Sequence, residues 1–387
     1  MEMWKNCTLA DLGEVVGGAT PSTKVKENYD GGTIPWITPK DLAGFQGRFI
    51  SRGERNITEQ GLRSCSTQIM PKDTVLFSSR APIGYVAIAK TELCTNQGFK
   101  SIVPNANTDP LFLYYLLVYN KDRIENMGVG TTFKEVSATT MRGIPVRVPT
   151  SVSHQKHIAN TLSMLDERIE CNLAINKNLE EQARAIFDSF YLKSKNKVPF
   201  TQMIKILGGG TPKTTERAFW CGQIPFFTPK DVGNPYVLQT EKYVTELGLT
   251  NCNSRLYPVN TTFVTARGTV GKVSLAGIPM AMNQSCYALM SDALHPFMTY
   301  FYTLHTVKAL QHKATGAVFD AIVTSDFDSE LLHRIPEDDA LQLLRRISPM
   351  MENIRVNTVG NLRLTELRDA LLPRLMSGEL DVSSIKL

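Results

Sequence analysis

The sequence predicts an α+β protein: two similar domains separated by two long antiparallel helices (a coiled coil), with a pseudo-two-fold internal repeat. Three observations carry that reading. The octapeptide IPWITPKD at 34–41 returns as IPFFTPKD at 224–231, with six of eight letters unchanged. Further blocks recur in the same order: GGATPSTK (17–24) as GGGTPKTT (208–215), ITEQGL (57–62) as VTELGL (244–249), SSRAPIGYVAI (78–88) as TARGTVGKVSL (265–275), and GTTFKEVSATT (130–140) as GAVFDAIVTSD (316–326). Finally, residues 153–191 contain neither Gly nor Pro, and their apolar positions repeat in steps of three and four. Fixed-order similarity over half a chain marks a duplication.

Taken in order, residues 1–150 form the first domain. They are rich in Gly, Pro and Thr, with short β-branched runs such as DTVLFSS and one helical stretch around Asp109–Asn126. That texture predicts a compact α+β unit with many loops. Residues 151–195 form a central helical region, whose seam runs through Ile158, Leu162, Leu165, Ile169, Leu179, Ala183, Ile186 and Phe190. Asn172 and Asn176 fill the two seam positions in its middle, and Ser163 marks a break. Residues 196–336 repeat the first domain, and 337–387 form a distal helical region. There Leu343, Ile347, Met350, Ile354, Leu364, Leu371 and Leu375 fall in phase, with Asn357 and Asn361 matching the first Asn pair and Arg368 alone breaking the apolar rule. Ser348-Pro349 reads as an N-cap and first helical residue, so the long distal helix is predicted to start there and to stop at Pro373 and Gly378.

Facing residues of an antiparallel pair have a constant sum of numbers. A sum of 533 sets Asn172 against Asn361, Asn176 against Asn357, Ile169 against Leu364 and Leu179 against Ile354. Buried amides paired in this way fix register at some loss of stability.

Composition narrows the class. The chain has 387 residues, enough for two or three domains, with 42% hydrophobic and 20% charged residues. No apolar run reaches the eighteen or so residues of a membrane span, and the N-terminus lacks the layout of a signal peptide. The expectation is a cytoplasmic protein with no membrane partner. Seven scattered cysteines without a C-x-x-C pair indicate neither a disulfide framework nor a zinc ribbon. A net charge of +5 permits an anionic partner without requiring one.

Catalytic chemistry is hard to find. GTVGK at 268–272 lacks the spacing and final Ser or Thr of a phosphate loop. Asn234-Pro235-Tyr236 lacks the second proline of an amino-methyltransferase motif, and no glycine-rich cofactor motif precedes it. The six histidines do not cluster at metal-binding spacing, and no nucleophile setting stands out. The sequence therefore predicts no catalytic residue, no metal site and no directly bound cofactor. A recognition subunit is expected.

The GG-x-TP-x-T and IP-x-x-TPKD blocks opening each half resemble the specificity subunit of type I restriction–modification systems. So do SHQKHIANTLSMLDERIECN with LEEQARAIFDSF in the middle and LRDALLPRLMSGELDV at the end. The resemblance covers essentially the whole chain. It implies two target-recognition domains, each reading one half of a split double-stranded DNA sequence, joined by helices that hold them apart. It also implies docking of two methyltransferase (M) subunits carrying S-adenosylmethionine, and of restriction (R) subunits using ATP and Mg. The alternative is a duplicated-domain protein scaffold that never touches DNA.

Blocks common to both halves cannot alone encode two different half-sites. They are expected to shape the fold or to position phosphates: Lys40 and Lys230 as backbone contacts, Asp41 and Asp231 as turn caps. Arg80 and Arg267 each precede a glycine turn and are candidates for a phosphate or a guanine edge, with an internal salt bridge as the alternative. Ser22, Lys24, Lys213 and Thr215 are further DNA-contact candidates, followed by Lys134, Thr131 and Thr132. The uninterrupted heptads give about 24 residues, or roughly 36 Å of helix. Half-sites centred about ten base pairs apart are expected from that ruler.

Overall fold

The structure is a computed structural model, and it describes residues 3–130, 134–233, 235–313 and 321–382. The chain divides into two compact units, one of Met1–Glu170 with Arg363–Leu387, the other of Cys171–Leu362.

In the first unit, five strands hydrogen-bond in the order Gly13–Gly17, Lys100–Pro104, Val75–Ser79, Ile83–Ala89 and Phe49–Ile50. Val75–Ser79, the middle strand, is buried along its whole length, as a strand covered on both faces must be. A smaller sheet places Ile34–Ile37 between Arg55–Ile57 and Cys94–Thr95. Helix Pro110–Tyr119 packs on the large sheet. Its N-terminus is fixed by the Asp109 carboxylate, which accepts the Phe112 amide at 2.9 Å, and Pro110 takes the first helical position, where its missing N–H leaves no bond unmade. Phe77, Phe112 and Leu116 join Ile158, Ala159 and Leu162 of the central helix and Leu372, Leu375 and Met376 of the distal helix in one core.

The second unit repeats the plan strand for strand. Its large sheet runs Lys205–Gly208, Cys286–Met290, Thr262–Thr265, Val273–Ala276, Tyr236–Val237, and its small sheet places Trp220–Phe227 between Lys242–Val244 and Ala281–Met282. The main core again takes in both long helices, through Ala183 and Phe187 on one and Leu343, Ile347, Met351 and Ile354 on the other.

The central helix runs unbroken over Val152–Tyr191 and the distal helix over Glu337–Ser377. Two boundary expectations are therefore corrected. Ser163 interrupts nothing; it is buried, donates to Glu167 and accepts from Arg48. The distal helix starts at Glu337 rather than at Ser348, and it passes through Pro349 and Pro373. A proline in a helix interior removes one backbone hydrogen bond and crowds the preceding turn. Complete burial of Leu343 and Ile347 holds the turns before Pro349 in place, and truncating such side chains typically costs about 2–5 kcal/mol. Gly378, with φ +75°, makes the stop that Pro373 does not.

In the middle of the pair, the Asn172 side-chain amide donates to Asn361 Oδ1 at 2.7 Å, and that of Asn357 donates to Asn176 Oδ1 at 2.9 Å. Ile354 is fully buried and Leu179 half-buried in the second unit; Ile169 and Leu364 are half-buried in the first. Towards the ends the heptad spacing gives way. Phe187 and Met351 are fully buried although the heptad skips them, while Ile186, Phe190 and Met350 are only half-buried. There a domain core covers a second face of each helix and widens the apolar stripe beyond a two-helix seam.

Candidate nucleic-acid interface

In each domain three of the repeated segments meet at one place. The first is the glycine–threonine–proline segment. A Cβ on Gly18 would lie 2.2 Å from the carbonyl oxygens of Thr95 and Asn96, and one on Gly209 would lie 2.2 Å from that of Asn283, so only glycine fits. The Thr20 and Thr211 hydroxyls then bond the side chains of Gln97 and Gln284. The second is the TPKD turn. Asp41 Oδ2 accepts from both the backbone N–H and the hydroxyl of Thr38 at 2.7 Å, and Oδ1 accepts the Glu54 amide at 2.6 Å. Asp231 repeats this with Thr228 and Glu241 at 2.7 Å each. Both aspartates thus cap a turn and tie it to a neighbouring strand. The third is the arginine turn. In the first domain Gly98 sits between it and the proline of the TPKD turn: Ser79 bonds the Gly98 carbonyl, and a Cβ on Gly98 would meet the Pro39 ring at 2.8 Å. In the second, the Thr269 hydroxyl bonds the Pro229 carbonyl at 3.2 Å.

The nominated cations fall into two groups. Lys40 pairs with Glu54 at 2.7 Å and Lys230 with Glu241 at 3.4 Å. The Lys40 hydrogen bond, with its charge second, holds the Glu54 carboxyl below its ordinary range. Arg80 lies 3.8 Å from Glu135, which Lys100 also reaches at 3.2 Å. Arg267 differs. Its backbone bridges to Ala321 where that of Arg80 bridges to Glu135, and it makes no ion pair among the described residues. Ser22, Lys24, Lys134, Lys213 and Thr215 are all exposed, and Lys24 and Lys213 make no ion pair among the described residues. Thr131 and Thr132 lie outside the described residues.

The contacts that seat each domain on the helices were not legible in advance. Arg48, 4% exposed, donates to Ser163 and to both carboxylate oxygens of Glu170 at 2.6–3.2 Å. Burial opposes its charge, and the bonds and charge of Glu170 more than offset this, raising its pKa. Tyr115 donates to Asp166 Oδ2 at 2.5 Å, and Arg368, the one break in the seam pattern, donates to Asp166 Oδ1 at 2.7 Å. Burial, then the Asp166 charge, pushes the Tyr115 phenol up and keeps it a donor. In the second unit Tyr300 instead donates to Glu180 at 2.7 Å, and His305 meets Asp188 at 2.6 Å.

Two like domains, each with a braced polar face, match a known pattern across the chain. The family described as "Type I restriction modification DNA specificity domain" matches residues 1–181 and 193–336. A specificity subunit of the type I restriction enzyme MjaIX from Methanocaldococcus jannaschii is 32% identical over 99% of this chain and 94% of its own length. The chain belongs to the type I restriction–modification DNA specificity family. A second member, the HindI specificity subunit of Haemophilus influenzae, is 22% identical over 98% of this chain and all of its own length. The crystal structure of a type I specificity subunit from M. genitalium has the same fold, with a TM-score of 0.58 at 16% identity, covering 97% of this chain and 96% of that one. Among the described residues no helix is long and apolar enough to cross a membrane, and no three His, Cys, Asp or Glu gather as a metal site.

Proposed function

We propose that this chain is the sequence-reading subunit of a type I restriction–modification complex. Each domain reads one half of a bipartite duplex target. The helices set the gap between the halves and dock two methyltransferase subunits, to which restriction subunits add. S-adenosylmethionine, ATP and Mg then belong to those partners, and this chain supplies recognition, not bond-making. The observation that carries the reading is family membership over both copies of a duplicated domain.

Lys24, Lys213 and Arg267, which make no ion pair among the described residues, are the best placed of the nominated residues to meet phosphates, whereas Lys40 and Lys230 would first have to leave their glutamates. The test is a mobility-shift titration of duplex DNA, with and without a methyltransferase partner, across a salt series. Affinity should fall steeply with salt, by roughly 0.9 log unit per log unit of salt for each phosphate neutralised, and one duplex should outcompete random sequence. Binding that ignores both sequence and salt would leave only the protein-scaffold reading.

A further inference from the structure

A frame shared by two domains cannot make them read different bases, so the difference must lie where the frame is kept and its lining changes. One such place occurs in both domains. Beside the braced turn, a polar cavity of about 370 Å³ in the first domain is lined by Thr23, Tyr29, Asp30, Arg55 and Asn56, among others. The second domain has a cavity of about 570 Å³ lined by Thr214, Trp220, Cys221, Lys242 and Tyr243, among others.

The two cavities occupy equivalent positions. Tyr29 and Trp220 each follow a short 3-10 helix, Lys26–Asn28 and Arg217–Phe219. Each ring stands edge-on to the same strand position, Tyr29 against Trp36 and Trp220 against Phe226. Arg55 and Lys242 both open the short strand next to the glutamate that the capping aspartate holds. Asn56 and Tyr243 come next.

The chemistry of the lining is that of a base reader. An aromatic wall and a cation recur in both copies. The wall is fixed in place, since the Tyr29 hydroxyl donates to the Pro21 carbonyl at 2.7 Å and the Trp220 indole donates to the Lys213 carbonyl at 3.1 Å. The cations are free to leave the surface. Arg55 makes no ion pair among the described residues, and Lys242 lies only over the Trp220 ring, 5.7 Å from its centroid. The residues that differ, Asn56 against Tyr243, are those with different base-edge preferences; the Asn56 amide donates one N–H to the Gly32 carbonyl at 3.2 Å, which orients it and leaves its second N–H and its Oδ1 for a base. An amide pairs with adenine, whereas a phenol offers one hydroxyl and an apolar face. Cys221 holds φ +60° at the second rim, a strained left-handed conformation for a non-glycine residue, of a kind that gathers at functional sites.

We propose that the pairs Arg55–Asn56 and Lys242–Tyr243 determine the base specificity of the first and second half-sites, with Tyr29 and Trp220 as the walls that orient them. The inference rests on the DNA-reading function proposed above. Arg55 and Lys242 reach base edges in the groove, guanine being the favoured partner of either. Asn56 and Tyr243 set the neighbouring preference.

The experiment exchanges the pairs in the full chain, in complex with its methyltransferase subunits. Arg55→Lys with Asn56→Tyr is made in one variant, and Lys242→Arg with Tyr243→Asn in another. Each is selected against a randomised duplex library, and thermal melts record folding. The first variant should bind the wild-type duplex about 10- to 100-fold more weakly and select a changed first half-site with an unchanged second. The second variant should do the converse. If one variant does not fold, the other still decides, and Arg55→Gln, which shortens the reach of the first pair without enlarging it, replaces a failed first variant. Variants that fold and select the wild-type duplex at wild-type affinity overturn the inference and leave the proposed function standing. A wild-type complex that selects no sequence overturns the proposed function itself.

Discussion

The Asp166–Arg368 contact has a natural control within the same chain. The two copies are offset by 185 along the helices, so Asp166 corresponds to Met351 and Arg368 to Ala183. One copy thus holds a buried ion pair where the other holds Ala183 and Met351, both fully buried in its core. Replacing Arg368 with Ala strands a carboxylate whose side chain is only 9% exposed, with Tyr115 as its remaining donor. Breaking a buried pair on one side typically destabilises by 3–5 kcal/mol; Arg368 is 28% exposed, so screening brings the expectation to about 3 kcal/mol. In a unit of this size that lowers Tm by roughly 6–12 °C. Installing the other copy's pair, Asp166→Met with Arg368→Ala, removes the stranded charge but leaves the buried Tyr115 hydroxyl without its acceptor, at about 1–3 kcal/mol. Adding Tyr115→Phe should bring the triple variant within about 1 kcal/mol of wild type, since methionine fills the space vacated by the arginine stem. The measurement is a urea unfolding curve followed by circular dichroism. An Arg368→Ala variant within about 1 kcal/mol of wild type, or a triple variant no more stable than that single one, would refute the reasoning.

Three further outcomes are expected. Replacing Asn172 and Asn361 with Leu should preserve folding, because Asn172 Oδ1 is already buried with no hydrogen-bond partner among the described residues, yet it should loosen register; cysteines at 169 and 364 should crosslink in the parent and less completely in the variant. Exchanging residues 1–150 for the equivalent domain of a relative should change one half of the methylated sequence, and a change in both halves would show that the domains do not read independently. Inserting four residues into each long helix should lengthen the gap between half-sites by nearly two base pairs, about 6 Å at 1.5 Å per residue, without altering either half. Bases that change while the gap stays fixed would count against the helical ruler.

The repeat made most of this fold legible. Identical blocks such as TPKD are visible because Asp41 and Asp231 each accept three hydrogen bonds that hold the same turn in both copies, and heptads announce themselves by spacing alone. The misreadings share one cause. Pro349 looks like a helix start because local rules see a lost hydrogen bond and not the buried Leu343 and Ile347 that outweigh it. Arg48 was invisible because its partners lie 115 and 122 positions away. The cavity linings stayed hidden because Arg55 and Lys242 become equivalent only when their short strands are matched in space.

The Asp166–Arg368 ion pair also bears on which helices choose one another. A chain made of two like halves could in principle couple to a sister molecule, central helix against central helix, since the asparagine seam reads the same in both. In such a union Asp166 would face Ala183 of the sister instead of Arg368, and the distal helices would set Arg368 against Met351. Each like-with-like pairing would bury unanswered charges twice over, whereas central against distal answers them. One arginine out of step with its heptad therefore gives a chain of two like halves a preference for unlike helices.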